Sequence, residues 1–428
     1  MTSKLTHGQQ LSRHQIESVQ LQRLNDLLIE IQDRPFYRGR GVGERMPLTS
    51  LDDLASMSLL TKEDLLGNSA GDPARIFELP RTDYARLHQT SGTKGFPLTV
   101  LDTPADWAWW LTCWDYVLDA AEVDQDDVAM MAFSFGPFIG FWTANDALVR
   151  RGTTVVPGGG MTSQKRIQMI RDHRCTVLCC TPTYALHLGA VAQELGIDLS
   201  ETKVRRIIVA GEPGGSIPSV RQRLETLWDA KVVDHTGASE VGAWGFGNET
   251  GTGIHVIETE FIAELLRFDT QYPEGIKAGE GEEAELVLTS LGRFGGPVIR
   301  YRTGDIVRGY RNHDQACRFL FLDGGVLGRV DDMMVIRGVN VFPSSIESIV
   351  REITPLAEFR IIATRVAEMD QLAIEVEAEV EAEEAVVEQL SEMVRDRLAM
   401  RVNVSAVPEG TLPRFEGKAK RLVDRRET

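Results

Sequence analysis

Apolar runs alternate with helical patterns through the middle of the chain. The runs lie at residues 128–134, 153–157, 176–181, 206–212 and 231–236. They are apolar rather than alternating, which is typical of strands covered on both faces. Between the last two runs, apolar residues recur at helical spacing from Ile217 to Trp228, after Ser216 as the predicted N-cap. Repeated strand–helix–strand units predict a mostly parallel sheet with right-handed crossovers, which is an α/β fold.

The segments on either side of this region follow other patterns. Residues 15–33 carry leucine and isoleucine at helical spacing, and Pro35 ends that predicted helix. After about residue 255, alternating segments and glycine-rich turns predict antiparallel strands in a small β-subdomain. After Asp331, the pattern predicts a compact α+β unit. We therefore expect a large N-terminal domain at residues 1–330 and a small, mobile C-terminal domain at residues 331–428.

The charge balance argues against one class of partner. Lysine and arginine number 46, aspartate and glutamate number 63, and the net charge is −17. A nucleic-acid surface needs a basic face that replaces phosphate counterions, so we expect no nucleic-acid partner. The charge-free stretch at residues 128–145 contains glycine and proline, which predicts a buried strand and a turn rather than a membrane span. Because the amino terminus is polar and has no apolar core, the chain is predicted to be cytoplasmic.

The five cysteines form no CxxC pair, and their number is odd. Cys175, Cys179 and Cys180 lie in or beside an apolar run without a histidine at ligand spacing. We therefore expect buried thiols rather than a zinc site or a disulfide.

A loop rich in hydroxyls and glycines has the composition of an anion site. It runs from Thr90 to Pro97 and contains Lys94. Glycines allow backbone N–H groups to approach a phosphate, hydroxyls donate hydrogen bonds, and the ammonium neutralises charge. The loop is not a Walker P-loop, because it has no GxxxxGK[ST] sequence. From these residues alone, a solvent-exposed loop is an equally good interpretation.

Four further polar segments become specific only when they are taken together. Residues 234–240 follow a predicted strand, which is where α/β enzymes place ligand-binding groups, although a polar turn with Glu240 in water is the alternative. The other segments are 301–305, 328–343 and the basic stretch 413–421. Each of them alone is equally consistent with a turn, a hinge or a charged terminus.

In their order along the chain, these five segments resemble the signature of adenylate-forming enzymes, and the phenylacetate–CoA ligase branch is the most similar. The chain shares with that branch its short length and the sequences RPFYR at 34–38, LTKEDL at 60–65, VVPGGG at 155–160, TPTYAL at 181–186 and GIHV at 253–256. The resemblance extends from about residue 20 to residue 426. It implies activation of a carboxylic acid by ATP and magnesium, followed by transfer of the acyl group to coenzyme A.

The resemblance also implies a role for individual residues. Those that would contact ATP or AMP are Thr90, Ser91, Gly92, Thr93, Lys94, Gly95, Gly211, Glu212, Pro213, Asp234, His235, Thr236, Ser239, Asp305 and Arg329. Glu240 would hold magnesium, and Lys418 would be the catalytic residue that contacts the carboxylate and the α-phosphate side. Asp331 would be the hinge of the small domain. Arg337 and Gly338 would line the coenzyme A channel.

The sequence departs from the family pattern at three positions, one of which is Ala284, where glycine is expected before the ELV sequence. Phe96 stands where lysine is common, and Lys94 is the candidate for the displaced phosphate lysine. Thr236 stands where an aromatic residue usually packs on adenine, and His235 is the candidate that compensates for it. The catalytic lysine and the two key carboxylates remain, so we expect activity.

The acyl pocket is expected between the strand ends near residues 133–142, 210–214 and 235–244. Its predicted lining is Phe135, Gly136, Phe141, Trp142, Ala210, Gly237 and Ala238. An aromatic lining favours an aryl or arylacetic acid, and core packing is the alternative for about half of the aromatic side chains. Ser134 stands where amino-acid-adenylating domains usually carry an aspartate, which argues against a free α-amino acid.

The expected partner is a small-molecule carboxylic acid, with no membrane. Free coenzyme A and a carrier-protein pantetheine both remain open as the acyl acceptor, with free coenzyme A favoured, and a homodimer remains open as the assembly. A hypothesis from another class is a nucleotide-binding protein that has lost catalysis and acts as a regulator. The presence of Lys418, Glu240 and Asp305 counts against it.

Overall fold

The structure is a computed structural model. It has a large part built around one extended sheet and a smaller C-terminal part, and both contain helices. It describes residues 6–43, 46–69, 71–90, 97–269, 271–311, 316–336, 339–353, 358–366, 369–378, 381–398, 400–415 and 421–426. The helices of these residues are α1 Thr6–Gln10, α2 Arg13–Ile31, α3 Pro35–Arg38, α4 Lys62–Leu65, α5 Pro104–Ala120, α6 Trp142–Arg151, α7 Ser163–Asp172, α8 Pro182–Glu194, α9 Pro218–Trp228, α10 Pro343–Ile353 and α11 Glu383–Leu398.

The strands form one large sheet, one smaller sheet and two short hairpins. They are β1 Arg86–Gln89, β2 Thr99–Asp102, β3 Val128–Met131, β4 Thr154–Pro157, β5 Val177–Cys180, β6 Arg206–Val209, β7 Lys231–Ala238, β8 Gly242–Gly247, β9 Gly253–Val256, β10 Phe261–Arg267, β11 Ile276–Lys277, β12 Glu283–Ser290, β13 Tyr301–Tyr310, β14 Phe321–Asp323, β15 Gly328–Arg329, β16 Met334–Ile336, β17 Val339–Val341, β18 Phe359–Val366, β19 Met369–Glu377, β20 Asn403–Val407 and β21 Leu422–Arg425. The hairpins are β1–β2 and β16–β17.

The five predicted apolar runs form the parallel half of the large sheet. Strands β4, β3, β5, β6 and β7 lie side by side in that order, and each neighbouring pair is parallel. Helices α6 to α9 connect these strands in turn. Strand β5 is buried at every position, as expected for a strand with helices on both faces. The predicted α/β fold is confirmed.

The other half of the large sheet is antiparallel. Its order beyond β7 is β8, β9, β14, β13, β12, β10 and β11. Strand β7 joins the halves, because its first four residues pair with β6 and its later residues pair with β8. The predicted antiparallel strands after residue 255 are therefore present, and they continue the same sheet.

Helix α9 begins at Pro218, one residue later than a cap at Ser216 would predict. Its N-cap position is Ile217, which offers no side-chain hydrogen bond, and Pro218 is the first helical residue. The predicted cap, Ser216, instead donates its hydroxyl to the buried carboxylate of Asp234 at 2.6 Å. Ser216 as the N-cap is thus wrong, because a buried carboxylate needs that hydrogen bond.

Helix α2 confirms the predicted N-terminal helix and fastens it to the antiparallel half of the sheet. Ser12 and Gln15 form a capping box at its start. The amide of the buried Gln20 donates to the carbonyl oxygens of Glu258 and Phe261, at 2.9 and 2.8 Å.

The C-terminal part has a core of its own. Strands β20, β19, β18 and β21 form its sheet in that order, and helices α10 and α11 complete the unit. Buried residues from Met334 to Val404 form a cluster separate from the cores of the large sheet. The exact division between residues 330 and 331 stays a prediction.

The cysteines are buried and free, which confirms the expected buried thiols. Burial raises the pKa of Cys179 to about 12, so its thiol stays protonated. No described helix is both long and apolar enough to cross a lipid bilayer.

Candidate active site at the carboxyl ends of the parallel strands

The loops that follow β5, β6 and β7 meet at one edge of the sheet, as parallel strands require. The loop after β6 contains three of the predicted nucleotide residues. Gly211 has a φ of +93°, a left-handed conformation that favours glycine. The carboxylate of Glu212 accepts a hydrogen bond from the backbone N–H of Thr183 at 2.8 Å, in the first turn of α8. A helix N-terminus favours a nearby negative charge. The hydrogen bond between Thr183 and Glu212 therefore holds the loop after β6 against α8. Pro213 is exposed beside them.

Asp234 and His235 at the end of β7 point into the protein. Asp234 is buried and accepts the hydroxyl of Ser216, and burial raises its pKa to about 6. The ring of His235 lies 4.3 Å from the ring of Trp114, and its Nδ1 donates to the carbonyl oxygen of Gly245 at 2.8 Å. Burial lowers the pKa of His235 to about 4, so the imidazole is neutral.

These contacts correct the role predicted for the His235 ring. His235 cannot stack on adenine, since its ring belongs to the core beneath the sheet edge. The carboxylate of Asp234 connects β7 to the loop after β6 through Ser216, and contact of Asp234 with the nucleotide stays a prediction. The next residue, Thr236, is half-buried, and its contact with adenine stays a prediction.

Glu240 lies just after β7 and is held at both its side chain and its backbone. Tyr301 of β13 donates its hydroxyl to the Glu240 carboxylate at 2.9 Å. Burial and the charge of Glu240 raise the pKa of Tyr301 well above its usual range, so the phenol remains a donor. The guanidinium of Arg293 donates to the carbonyl oxygens of Ser239 and Glu240, at 2.9 and 3.0 Å. Tyr301 thereby orients the carboxylate, and Arg293 fixes the backbone that carries it.

Arg293 itself is anchored by a buried ion pair. Its guanidinium lies 2.7 Å from the carboxylate of Asp102, and both side chains are fully buried. Trp110 donates its indole N–H to the same carboxylate at 3.0 Å. Sequence reasoning missed both members of the pair, because they are about 190 positions apart and belong to no motif. The one available signal was a charged residue in the otherwise apolar LGRFGGPV segment.

Asp305 and Arg329 lie side by side on paired strands. Strands β13 and β15 place the two residues opposite each other, and their side chains form an ion pair at 2.9 Å. Arg329 also donates to the carbonyl oxygen of Thr303 at 3.0 Å. Asp305 lies on the same strand as Tyr301, the residue that binds Glu240, so the pair lies on the strand that contacts Glu240. The structure thus brings together the predicted metal and ribose residues.

A cleft of about 460 Å³ opens beside the ends of β3 and β4. Its lining is Ser134, Phe135, Gly136, Pro157, Gly159 and Gly160. Trp142 supports it, since its ring lies 4.6 Å from that of Phe135 and its indole N–H donates to the Gly136 carbonyl at 3.0 Å.

The other predicted acyl-pocket residues do not line this cleft. Phe141 is buried against Trp114 and Phe133, so core packing is its role. Ala210 and Ala238 are half-buried at the ends of β6 and β7, and Gly237 is exposed.

Several predicted residues lie outside the part of the chain that the structure describes. They are Ser91, Gly92, Thr93, Lys94, Gly95, Arg337, Gly338 and Lys418. Of the predicted phosphate loop, Thr90 is described, and its hydroxyl accepts the backbone N–H of Leu98 at 3.1 Å. Asp331 lies in a short 3₁₀ helix at Val330–Asp332.

Two family models match the chain. Residues 37–258 match the AMP-binding enzyme model, and residues 338–426 match the AMP-binding enzyme C-terminal domain. The chain belongs to the AMP-binding enzyme family. It is 32% identical to the phenylacetate-coenzyme A ligase of Pseudomonas putida over 422 residues, which cover 95% of this chain and 93% of that enzyme.

Solved structures of 2-hydroxyisobutyryl-CoA ligase are similar over 98% of this chain and 92% of theirs. In its postadenylation state in complex with R3-HIB-AMP, that enzyme matches with a TM-score of 0.89 at 26% identity. In its thioesterification state with 2-HIB-AMP and CoA, it matches with a TM-score of 0.72 at the same identity. The described chain is thus more similar to the postadenylation state.

We predict that Arg293→Met lowers the free energy of unfolding by about 3–5 kcal/mol, because it leaves the carboxylate of Asp102 buried without its cation. Urea denaturation measures the change. As a control, Arg308→Met removes an exposed pair with Glu283 and should cost at most about 1 kcal/mol. Equal losses in the two variants would contradict the importance assigned to the buried pair.

Proposed function

We propose that this chain activates an aromatic or arylacetic carboxylic acid with ATP and transfers the acyl group to coenzyme A, releasing AMP and pyrophosphate. The observation that carries the proposal is the convergence of Glu240, Asp305 and Arg329 beside the sheet edge, in a member of the AMP-binding enzyme family. The phenylacetate-coenzyme A ligases among its relatives support the substrate class.

The chemistry requires two displacement steps. In the first, a carboxylate oxygen of the acid attacks the α-phosphorus of ATP, the bond from that phosphorus to the β-phosphate oxygen breaks, and pyrophosphate leaves. In the second, the thiolate of coenzyme A attacks the acyl carbon, the bond to the phosphate oxygen breaks, and AMP leaves. Negative charge grows on phosphate oxygens in the first step, so placement and electrostatic stabilisation supply most of the catalysis.

The described residues fit the nucleotide end of this reaction. Asp305 offers carboxylate oxygens that accept hydrogen bonds from ribose hydroxyls, and the ion pair with Arg329 keeps the two side chains in a fixed geometry. The loop at residues 211–213, fixed on α8 through Glu212, would lie beside the adenine. Thr90 to Gly95 would close over the phosphates, and Lys418 would neutralise charge at the α-phosphate.

Glu240 fits a magnesium ion of the kind that nucleotides bring with them. No group of three metal-binding side chains occurs among the described residues. Mg²⁺ is usually held by one or two carboxylates together with phosphates and water, so one oriented carboxylate is an adequate donor set. The ion, when bound, neutralises charge on the phosphate oxygens. Tyr301 holds the Glu240 carboxylate for it, and Arg293 holds the Glu240 backbone.

The acid would enter the cleft at residues 134–136 and 157–160, where Phe135 offers an aromatic wall.

Release of pyrophosphate across a panel of aromatic, arylacetic and short aliphatic acids tests the substrate class. Comparison of free coenzyme A with a pantetheinylated carrier protein tests the acceptor. The homodimer and the cytoplasmic location stay predictions of the sequence.

We predict that Lys418→Ala slows pyrophosphate release by about 10²–10³-fold, the scale of one lost transition-state donor. Thioester formation from supplied acyl-adenylate should be nearly unchanged, because the α-phosphate bond has already been formed. Lys277→Ala is the control, since this lysine is 72% exposed in a surface pair. An equal loss in both half-reactions would contradict the role given to Lys418.

We predict that Gly136→Leu narrows the acyl cleft without disturbing the fold. A Cβ at this position meets only Phe138, at 3.9 Å, so the backbone tolerates a side chain. The kcat/KM ratio should fall at least about tenfold more for an arylacetic acid than for a short aliphatic acid, because only the larger acid competes for the filled volume. Gly136→Ala is the smaller control, and the same loss for both acids would argue that the cleft is not the acyl pocket.

We predict that Asp331→Pro preserves pyrophosphate release and blocks transfer to coenzyme A, because proline fixes φ at the proposed hinge. Asp331→Ala removes the carboxylate while leaving φ free, and it should transfer the acyl group far better than the proline variant. Unimpaired thioester formation in Asp331→Pro would contradict the assignment of Asp331 as the hinge.

A further inference from the structure

A buried cluster of two arginines and two glutamates lies on the side of the small domain that faces α8. Glu347 and Arg351 belong to α10, Glu358 precedes β18, and Arg421 precedes β21. Arg351, Glu358 and Arg421 are each less than 10% exposed. The four formal charges cancel within the cluster, so its members compensate one another for loss of water.

Arg421 is the centre of this cluster. Its guanidinium lies 3.0 Å from the carboxylate of Glu347 and 2.5 Å from that of Glu358. Arg351 lies 3.6 and 4.0 Å from the same two carboxylates. Both guanidinium groups lie 5.1 Å from the centre of the Phe359 ring, within range of a cation–π contact. The Arg421 fork is therefore held in one geometry by its own domain.

The same guanidinium reaches the large domain. Its third nitrogen donates to the hydroxyl of Thr183 in α8 at 3.4 Å. The backbone N–H of Thr183 donates in turn to Glu212, on the loop proposed to lie beside the adenine. The charge of Glu212 also acts on Arg421, Arg351 and Glu347 across the boundary, and it favours the charged form of the arginines. A short chain of contacts thus connects Arg421 to the adenine-side loop.

We propose that Arg421 is a positioning residue for the first half-reaction: by binding Thr183, it docks the small domain in the orientation that forms the acyl-adenylate, and this contact breaks before acyl transfer. The inference rests on the proposed function. The chain matches the postadenylation state of 2-hydroxyisobutyryl-CoA ligase at a TM-score of 0.89 and its thioesterification state at 0.72, over the same share of the chain. The orientation in which Arg421 contacts Thr183 is therefore the one that we assign to formation of the acyl-adenylate.

The cleanest test changes the large-domain side of the contact. Thr183→Val replaces the hydroxyl by a methyl group of similar size and leaves the small-domain cluster intact, whereas Thr183→Ser keeps the hydroxyl. Acid-dependent exchange of pyrophosphate into ATP should fall about tenfold in the valine variant, the scale of one hydrogen bond to a charged group. The serine variant should exchange at the wild-type rate. Thioester formation from supplied acyl-adenylate should be unchanged or faster in both.

A second pair of variants tests the small-domain side. Arg421→Gln should lower pyrophosphate exchange more than thioester formation. Arg360→Gln breaks the Arg360–Glu375 pair between strands of the same small sheet and serves as the matched control for general loosening. Equal losses of the two half-reactions in Thr183→Val, or pyrophosphate exchange at the wild-type rate, would overturn the proposal.

Hydrogen–deuterium exchange separates this inference from the proposed function. Amides at residues 183–186 and 345–353 should exchange faster in Thr183→Val than in Thr183→Ser, because the docked state is less populated. This readout needs no substrate. If the wild type forms no acyl-adenylate with any acid, the proposed function fails while amide exchange still decides the docking. Indistinguishable exchange in the valine and serine variants would refute the docking role.

Discussion

The two-sided pairing of β7 is the constraint that brings the site together. The strand pairs in parallel with β6 through residue 234 and antiparallel with β8 from residue 235. A sheet that ended at β7 would leave β13, and with it Tyr301 and Asp305, unconnected to the parallel strands. Because the strand continues past its parallel partner, the two halves share one hydrogen-bonded frame. Glu240 lies just past the end of that strand, within reach of Tyr301.

Local patterns were sufficient to predict the fold class. The apolar runs at 128–134 and 176–181 contain β3 and β5. A short run of continuous apolar residues is typical of a strand that is covered on both faces. The continuity of the sheet was not predictable, since pairing between β14 and β9 joins residues far apart in the chain. The helix cap at Ser216 failed for a related reason: its hydroxyl is used by Asp234, a partner 18 positions away.

The candidate site likewise contains residues that motifs predicted and residues whose role depends on contacts between distant parts of the chain. Asp305, Arg329 and Glu240 were found because the resemblance gave them positions in motifs, and strand β13 connects them through Tyr301. Arg293 and Asp102 carry no motif, and only the folded chain shows that they hold the Glu240 backbone. His235 was a candidate because Thr236 replaces the usual aromatic residue beside it, but its ring is buried in the core against Trp114. A side chain's direction depends on the register of its strand.

The central claim is that a carboxylate oxygen becomes bonded to the α-phosphorus of ATP. Mass spectrometry of AMP from a reaction with an arylacetic acid labelled with heavy oxygen in its carboxylate tests it most directly. We predict one heavy oxygen in each AMP after transfer to coenzyme A, because the bond that breaks in the second step lies between the acyl carbon and that oxygen. AMP without the label, or ADP in place of AMP, would contradict the account.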